Sequence, residues 1–206
     1  MRQDFIKFPL HLIVHPFDGY WDIKFEGRGR FKVAALLIAL LVLARIAQRE
    51  YGGYLVNYTD MRHYNSLSEA LYVLVPLALW CVSNWSMTTL MDGEGKFGEI
   101  VKATAYAVLP LILIYVPTTI ASHAMVQQEV AFYYLLNSIA AVWCAWLLFV
   151  GTMTVHQYSV GKTVFTMLLT LIVMGIIIFL ALLFFTLVQQ MIDFLHNLYL
   201  EYEYRN

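Results

Sequence analysis

His11 and His15 stand four residues apart, and on a helix that spacing puts two imidazoles on one face, as a two-histidine metal site needs. Pro16 follows at once and few carboxylates lie nearby, so the pair reads as interfacial imidazoles. His63, His123, His156 and His196 are scattered singly, and neither metal nor cofactor is expected. Cys81 and Cys144 both fall in apolar runs, where a thiol packs as a small hydrophobe rather than forming a disulfide. Gly161-Lys162-Thr163 imitates the end of a phosphate-binding loop, but the first glycine of that pattern is missing. His-Glu-x-x-His, Gly-x-Ser-x-Gly and Cys-x-x-Cys are all missing, so no catalytic residue is assigned and no enzyme is expected.

Two groups of polar residues remain. Met91 to Ile100 reads Met-Asp-Gly-Glu-Gly-Lys-Phe-Gly-Glu-Ile, a turn with three carboxylates (Asp92, Glu94, Glu99), Lys96 and an aromatic, Phe97. Glycine lets such a turn approach a neighbour closely. The basic segment from Lys24 to Lys32, with Arg28 and Arg30, carries the opposite charge, and is expected to pair with Asp92, Glu94 or Glu99 and form a docking surface with them. The second group lies inside apolar sequence: Ser83, Asn84, Tyr106, Pro110 and Asn137, with further serines and threonines. Polar groups in lipid are expensive unless paired. They read either as interhelical hydrogen bonds or as a polar cavity for a solute. If the Asn84 amide bridges two helices, losing it costs roughly 0.6–2 kcal/mol.

The elements that must position these residues are membrane spans. The chain has 206 residues, 61% of them hydrophobic and 13% charged. A soluble domain carries about 25% charge. A span needs about 20 apolar residues, and five runs qualify, at 31–49, 67–91, 100–122, 130–155 and 163–190. The fold class expected is an all-α membrane protein with five transmembrane helices. Segment 1–30 is the cytoplasmic interfacial part, 31–190 the transmembrane domain and 191–206 an amphipathic outer tail. No cleavable signal peptide is visible. The net charge of −1 gives no reason to expect nucleic acid. With the N-terminus in the cytoplasm, nine basic residues fall inside (Arg2, Lys7, Lys24, Arg28, Arg30, Lys32, Lys96, Lys102, Lys162) and four outside (Arg45, Arg49, Arg62, Arg205), which favours N-inside and C-outside. Tyr51, Tyr54, Tyr58, Tyr64, Tyr133, Tyr134, Tyr199, Tyr202 and Tyr204 then form an outer aromatic belt.

Local signals refine this frame. Phe5, Phe8, Leu12 and Ile13 share an amphipathic face whose length Pro9 and Pro16 limit. The aromatic, mixed-charge stretch after it suits the headgroup region, or a docking site for a partner or anionic headgroups. Ser66 or Ser68 is the expected cap of span two, with Glu69 in its first turn. Trp80-Cys81 with Gly95-Lys96, and Trp143-Cys144 with Gly161-Lys162, make a faint internal echo. Pro110 and Pro117 are expected on one face of span three. Met191, Phe194, Leu195, Leu198 and Tyr202 form a helical stripe in the tail, for the outer leaflet or a partner.

The short Gly-rich turn, Lys96-Phe97, a charged helix start and then Ala105-Tyr106-Ala107-Val108-Leu109-Pro110 resembles the Yip1 domain family, in its bacterial branch. Pro16-Phe17 with Ile23 is similar to that family's pre-membrane segment. The Asp-Leu-Tyr-Gly-Pro box of its eukaryotic members is absent, so their partnership with Rab-type GTPases does not carry over. The resemblance implies a helical membrane scaffold or adaptor rather than an enzyme. His15-Pro16-Phe17-Asp18 is similar to a segment in relatives that accompany carbohydrate importers of the ATP-binding-cassette (ABC) type. Two functions stay open: a multi-pass adaptor of the cell membrane, contacting lipid and other membrane proteins such as an ABC permease, and a small transporter or channel subunit using the polar seam of spans two to four. A lipid-acting enzyme ranks third.

Overall fold

The computed structural model describes residues 4–57 and 64–205. Arg2, Tyr58, Arg62 and His63 lie outside the described residues. The chain is helical throughout, with no strand among the described residues: α1 (Asp4–Val14), α2 (Pro16–Trp21), α3 (Phe31–Glu50), α4 (Ser66–Leu90), α5 (Phe97–Ala107), α6 (Leu109–Ala121), α7 (Val130–His156) and α8 (Val160–Arg205). Five stretches are long and apolar enough to cross a membrane: α3, α4, α5 with α6, α7 with the short turn before it, and α8.

The third span is two helices rather than one. The backbone breaks at Val108, and Pro110 enters the first turn of α6, where its missing N–H costs nothing. Pro117 is absorbed inside α6. The α4 cap is Asn65, whose side chain accepts the Leu67 N–H at 2.9 Å; the expected serines lie one and three residues too late. Beyond position 190 the tail continues α8 without a break. At about 1.5 Å per residue its 46 residues reach ~69 Å, roughly twice a bilayer core.

The N-terminal segment does not lie apart from the bundle. Phe8, Leu12, Ile13, Tyr20 and Ile23 join the main core with Val33, Ala34 and Leu37 of α3, Ala103 and Tyr106 of α5, and Leu147, Val150 and Val155 of α7. Pro16 starts α2. A π-helical turn, Asp22–Glu26, ends at Gly27 in the left-handed region (φ 63°), which favours glycine. Two glycines allow this packing: within the segment, Leu12 packs within 2.9 Å of where a Gly19 Cβ would sit, and on α7 the Tyr20 ring lies 3.0 Å from where a Gly151 Cβ would sit. Burial, with a smaller push from Cys144, raises the Tyr20 phenol well above its usual pKa.

Candidate functional site

One end of the bundle gathers the N-terminal segment, the turn at 91–96 and the α7–α8 turn. Lys24 clamps the first two together: its Nζ lies 3.0 Å from Glu99 Oε2 and donates to the Glu94 carbonyl at 2.8 Å. Glu99 also accepts the Lys96 backbone N–H at 3.0 Å, half of a capping box at the start of α5. The ion pair is largely shielded from solvent, where charge-assisted bonds are worth about 1.5–3 kcal/mol each. The turn is fixed from the other side too. Gly95 N donates to His156 Nδ1 at 3.2 Å, and the Tyr158 hydroxyl donates to the Met91 carbonyl at 3.0 Å. Gly93 and Gly95 both sit against the His156 ring, where a Cβ would come within 2.6 Å. Gly161 has open space around it, so the two Gly-Lys turns are not structurally equivalent.

The remaining residues of the docking group differ in role. Asp92 adopts a left-handed φ of 55°, which aspartate tolerates. Its charge adds to burial in raising the Tyr158 phenol. Glu94 and Lys96 are exposed. Phe97 is 43% exposed and meets Trp85 edge-on at 5.7 Å. Arg28 does not reach the turn: its Nη1 lies 2.9 Å from Asp22 Oδ2 and its Nε 2.8 Å from Glu26 Oε2. These carboxylates are its near neighbours in sequence and outcompete Asp92 and Glu94. Arg30 precedes α3, and the Tyr106 hydroxyl meets its backbone.

The five seam residues do not share one cavity. Ser83 and Asn84 are buried at the Lys24 end, Tyr106 and Pro110 sit in the helix core, and Asn137 belongs to the opposite end. An apolar layer of Leu41, Val108 and Cys144, backed by Leu77, Leu111 and Leu148, lies between. Most hydroxyls do not bridge helices either. Ser86, Thr88, Thr89, Thr118, Thr119 and Ser138 each donate to the carbonyl four residues back in their own helix.

Asn84 lines a small internal cavity with Thr104, Thr152 and His156, of about 10 Å³, room for one water. Its Nδ2, Ser83 Oγ and His156 Nε2 are buried with no hydrogen-bond partner. The Asn84 nitrogen therefore bridges nothing, and leucine there removes an unpaired donor at similar volume, a change that is nearly neutral or stabilising. Asn84→Leu should melt in detergent no earlier than the parent protein. A loss beyond about 1 kcal/mol would mean that a water fills the cavity and links Asn84 to its neighbours.

At the opposite end the central residue is one that sequence reasoning missed. Gln48, buried in the last turns of α3, donates to the Tyr133 hydroxyl at 2.9 Å and to Asn137 Oδ1 at 3.2 Å, and accepts from Arg45 at 2.8 Å. Tyr133 is thus a buried network member rather than part of an aromatic belt. Glu69 faces both Arg45 and Arg49, at 3.8 and 3.9 Å. Gly53 N donates to Ser122 Oγ at 2.8 Å, tying the turn after α3 to the end of α6.

The family model described as the Yip1 domain matches residues 10–183. The match takes in the docked N-terminal segment from the middle of α1, the clamped turn, and most of the apolar part of α8. No curated protein and no solved structure matches the chain.

Proposed function

Because the chain belongs to the Yip1 domain family, we propose that it serves in the bacterial branch as a non-catalytic multi-pass adaptor of the cell membrane. Its N-terminus is cytoplasmic and its C-terminus outside. The orientation rests on the nine-to-four distribution of basic residues. It is supported by the N-terminal segment, the 91–96 turn and Lys162 lying at one end of the bundle. The observation that carries the adaptor reading is the double clamp on that turn, by Lys24 from one side and by His156 and Tyr158 from the other. A turn held at both flanks offers Asp92, Glu94, Lys96 and Phe97 as a preformed surface, so a partner need not order it on binding. The partner is another membrane protein, such as the permease of a carbohydrate ABC importer. The apolar layer between the two polar ends favours this reading over solute passage along the seam.

The test begins with orientation. Single cysteines at 94 and 162 should be shielded from an impermeant thiol reagent in intact cells, and one at 203 should label. The Phe97→Ala/Glu94→Lys variant should then lose a stoichiometric permease partner from pull-downs in mild detergent, with expression and insertion intact. Undiminished recovery removes this surface from the adaptor. Solute flux through vesicles holding the purified protein alone would establish the transporter instead.

A further inference from the structure

A cavity of about 590 Å³ opens where α1 faces the hinge before α3, lined by Lys7, Phe8, His11, Gly27, Arg28 and Arg30. Sites for small molecules fall between about 300 and 1,000 Å³. Three cations and an imidazole converge here from two separate elements, and among the described residues no carboxylate is in the lining. Lys7 and His11 come from one face of α1, at positions i and i+4. Phe8 forms the floor, its ring edge-on to Tyr106 at 5.6 Å. At Gly27 no atom lies within 4 Å of where a side chain would begin, so the mouth is open there. Asp22 and Glu26 hold Arg28 by Nη1 and Nε, two positions on a guanidinium that carries five N–H donors. They orient the fork while the rest of it contributes to the cavity wall.

Depth in the membrane identifies the anion. α3 has 20 residues and spans ~30 Å, the thickness of the hydrocarbon core. α4 and α7, with 25 and 27 residues, reach ~38 and ~40 Å. The N-terminal segment packs against the ends of α5 and α7 at the side where α3 begins. Arg30, immediately before α3, therefore stands at the hydrocarbon boundary. Leu10, Val14, Phe17, Trp21, Phe25 and Phe31 are exposed on the same segment, and the Trp21 and Phe25 rings lie 4.1 Å apart. An exposed set of Trp, Phe and Leu side chains beside basic residues lies at the boundary of headgroups and acyl chains. The anion found at that depth is the lipid phosphate, which arginine and lysine bind by charge-assisted hydrogen bonds. The geometry points to this cavity as a binding site for the phosphate of an anionic phospholipid headgroup, with Lys7, Arg28 and Arg30 as its cationic wall. The site is independent of the turn at 91–96 and of the adaptor reading.

The test uses the full chain in zwitterionic micelles. Phosphatidylglycerol is titrated in, with phosphatidylcholine and inorganic phosphate as separate arms, and thermal unfolding is followed. Phosphatidylglycerol should raise the melting temperature saturably, and the other two should not. Each cation removed should weaken the apparent affinity about fivefold, so Lys7→Gln/Arg30→Gln should lose about 25-fold. If that variant does not fold, Arg28→Gln carries the test, its side chain being 58% exposed. An equal response to phosphatidylcholine, or an undiminished response in the folded variant, overturns the proposal. A saturable shift with inorganic phosphate alone also overturns it, by making the ligand a soluble anion.

Discussion

Tyr20→Ala should free the N-terminal segment from the bundle while leaving the spans folded. Tyr20 is fully buried, its ring lies over Gly151, and its hydroxyl donates to the Ala103 carbonyl at 3.4 Å. It thus touches both α5 and α7, the two helices on which the segment rests. Deleting a buried aromatic of this size costs about 3–5 kcal/mol. The Lys24–Glu99 pair contributes less, about 1.5–3 kcal/mol at best, and cannot hold the segment alone. Amide exchange over residues 8–23 should accelerate strongly in the variant, with α7 still protected. Tyr20→Phe should keep the segment docked, because the lost hydrogen bond is long and its net contribution is about 1 kcal/mol or less. If exchange is unchanged in Tyr20→Ala, the segment is held by the Phe8 and Leu12 contacts and Tyr20 is not its anchor.

Span positions are legible from apolar run length because lipid demands uninterrupted backbone bonding and long apolar runs. The expected runs at 67–91 and 130–155 meet helices Ser66–Leu90 and Val130–His156 within a residue or so. The break at Val108 escaped because prolines are tolerated in membrane helices, and nothing local distinguishes Pro110, which breaks one, from Pro117, which does not. The apolar face of Phe8, Leu12 and Ile13 was visible by spacing, but what it packs on was not. Phe8 meets the Tyr106 ring on α5, and the Tyr20 ring of the same segment lies over Gly151 on α7, partners that no local pattern near residue 12 announces. Gln48 left no signal either, since one glutamine near a helix end reads as snorkelling; its meaning comes from Tyr133 and Asn137 on a distant helix. His156 stands alone in the sequence, with no second histidine near it. The pointer to its burial was the pair of glycines at 93 and 95, whose missing side chains make room for the imidazole.

The same logic of close approach makes Gly53→Ala damaging although the change adds one methyl group. Gly53 is buried against Ser122, and its N–H donates to the serine hydroxyl at 2.8 Å. That hydroxyl is itself oriented, donating to the Thr119 carbonyl at 2.6 Å. A Cβ on Gly53 would be driven into the Ser122 backbone carbonyl, which cannot rotate aside as a side chain would. The turn after α3 must then lift away from α6, at about 1–3 kcal/mol for the overpacking and about 1 kcal/mol for the lost hydrogen bond. Thermal unfolding in detergent should show a total of about 2–4 kcal/mol, against about 1 kcal/mol for Ser122→Ala. The double variant separates the two causes. If backbone contact dominates, Gly53→Ala keeps most of its cost in the Ser122→Ala background, because the obstructing carbonyl is still present. If that background abolishes the cost, the hydrogen bond alone joined the two segments. A Gly53→Ala protein as stable as its parent would mean that the turn moves freely and does not fix the end of α6.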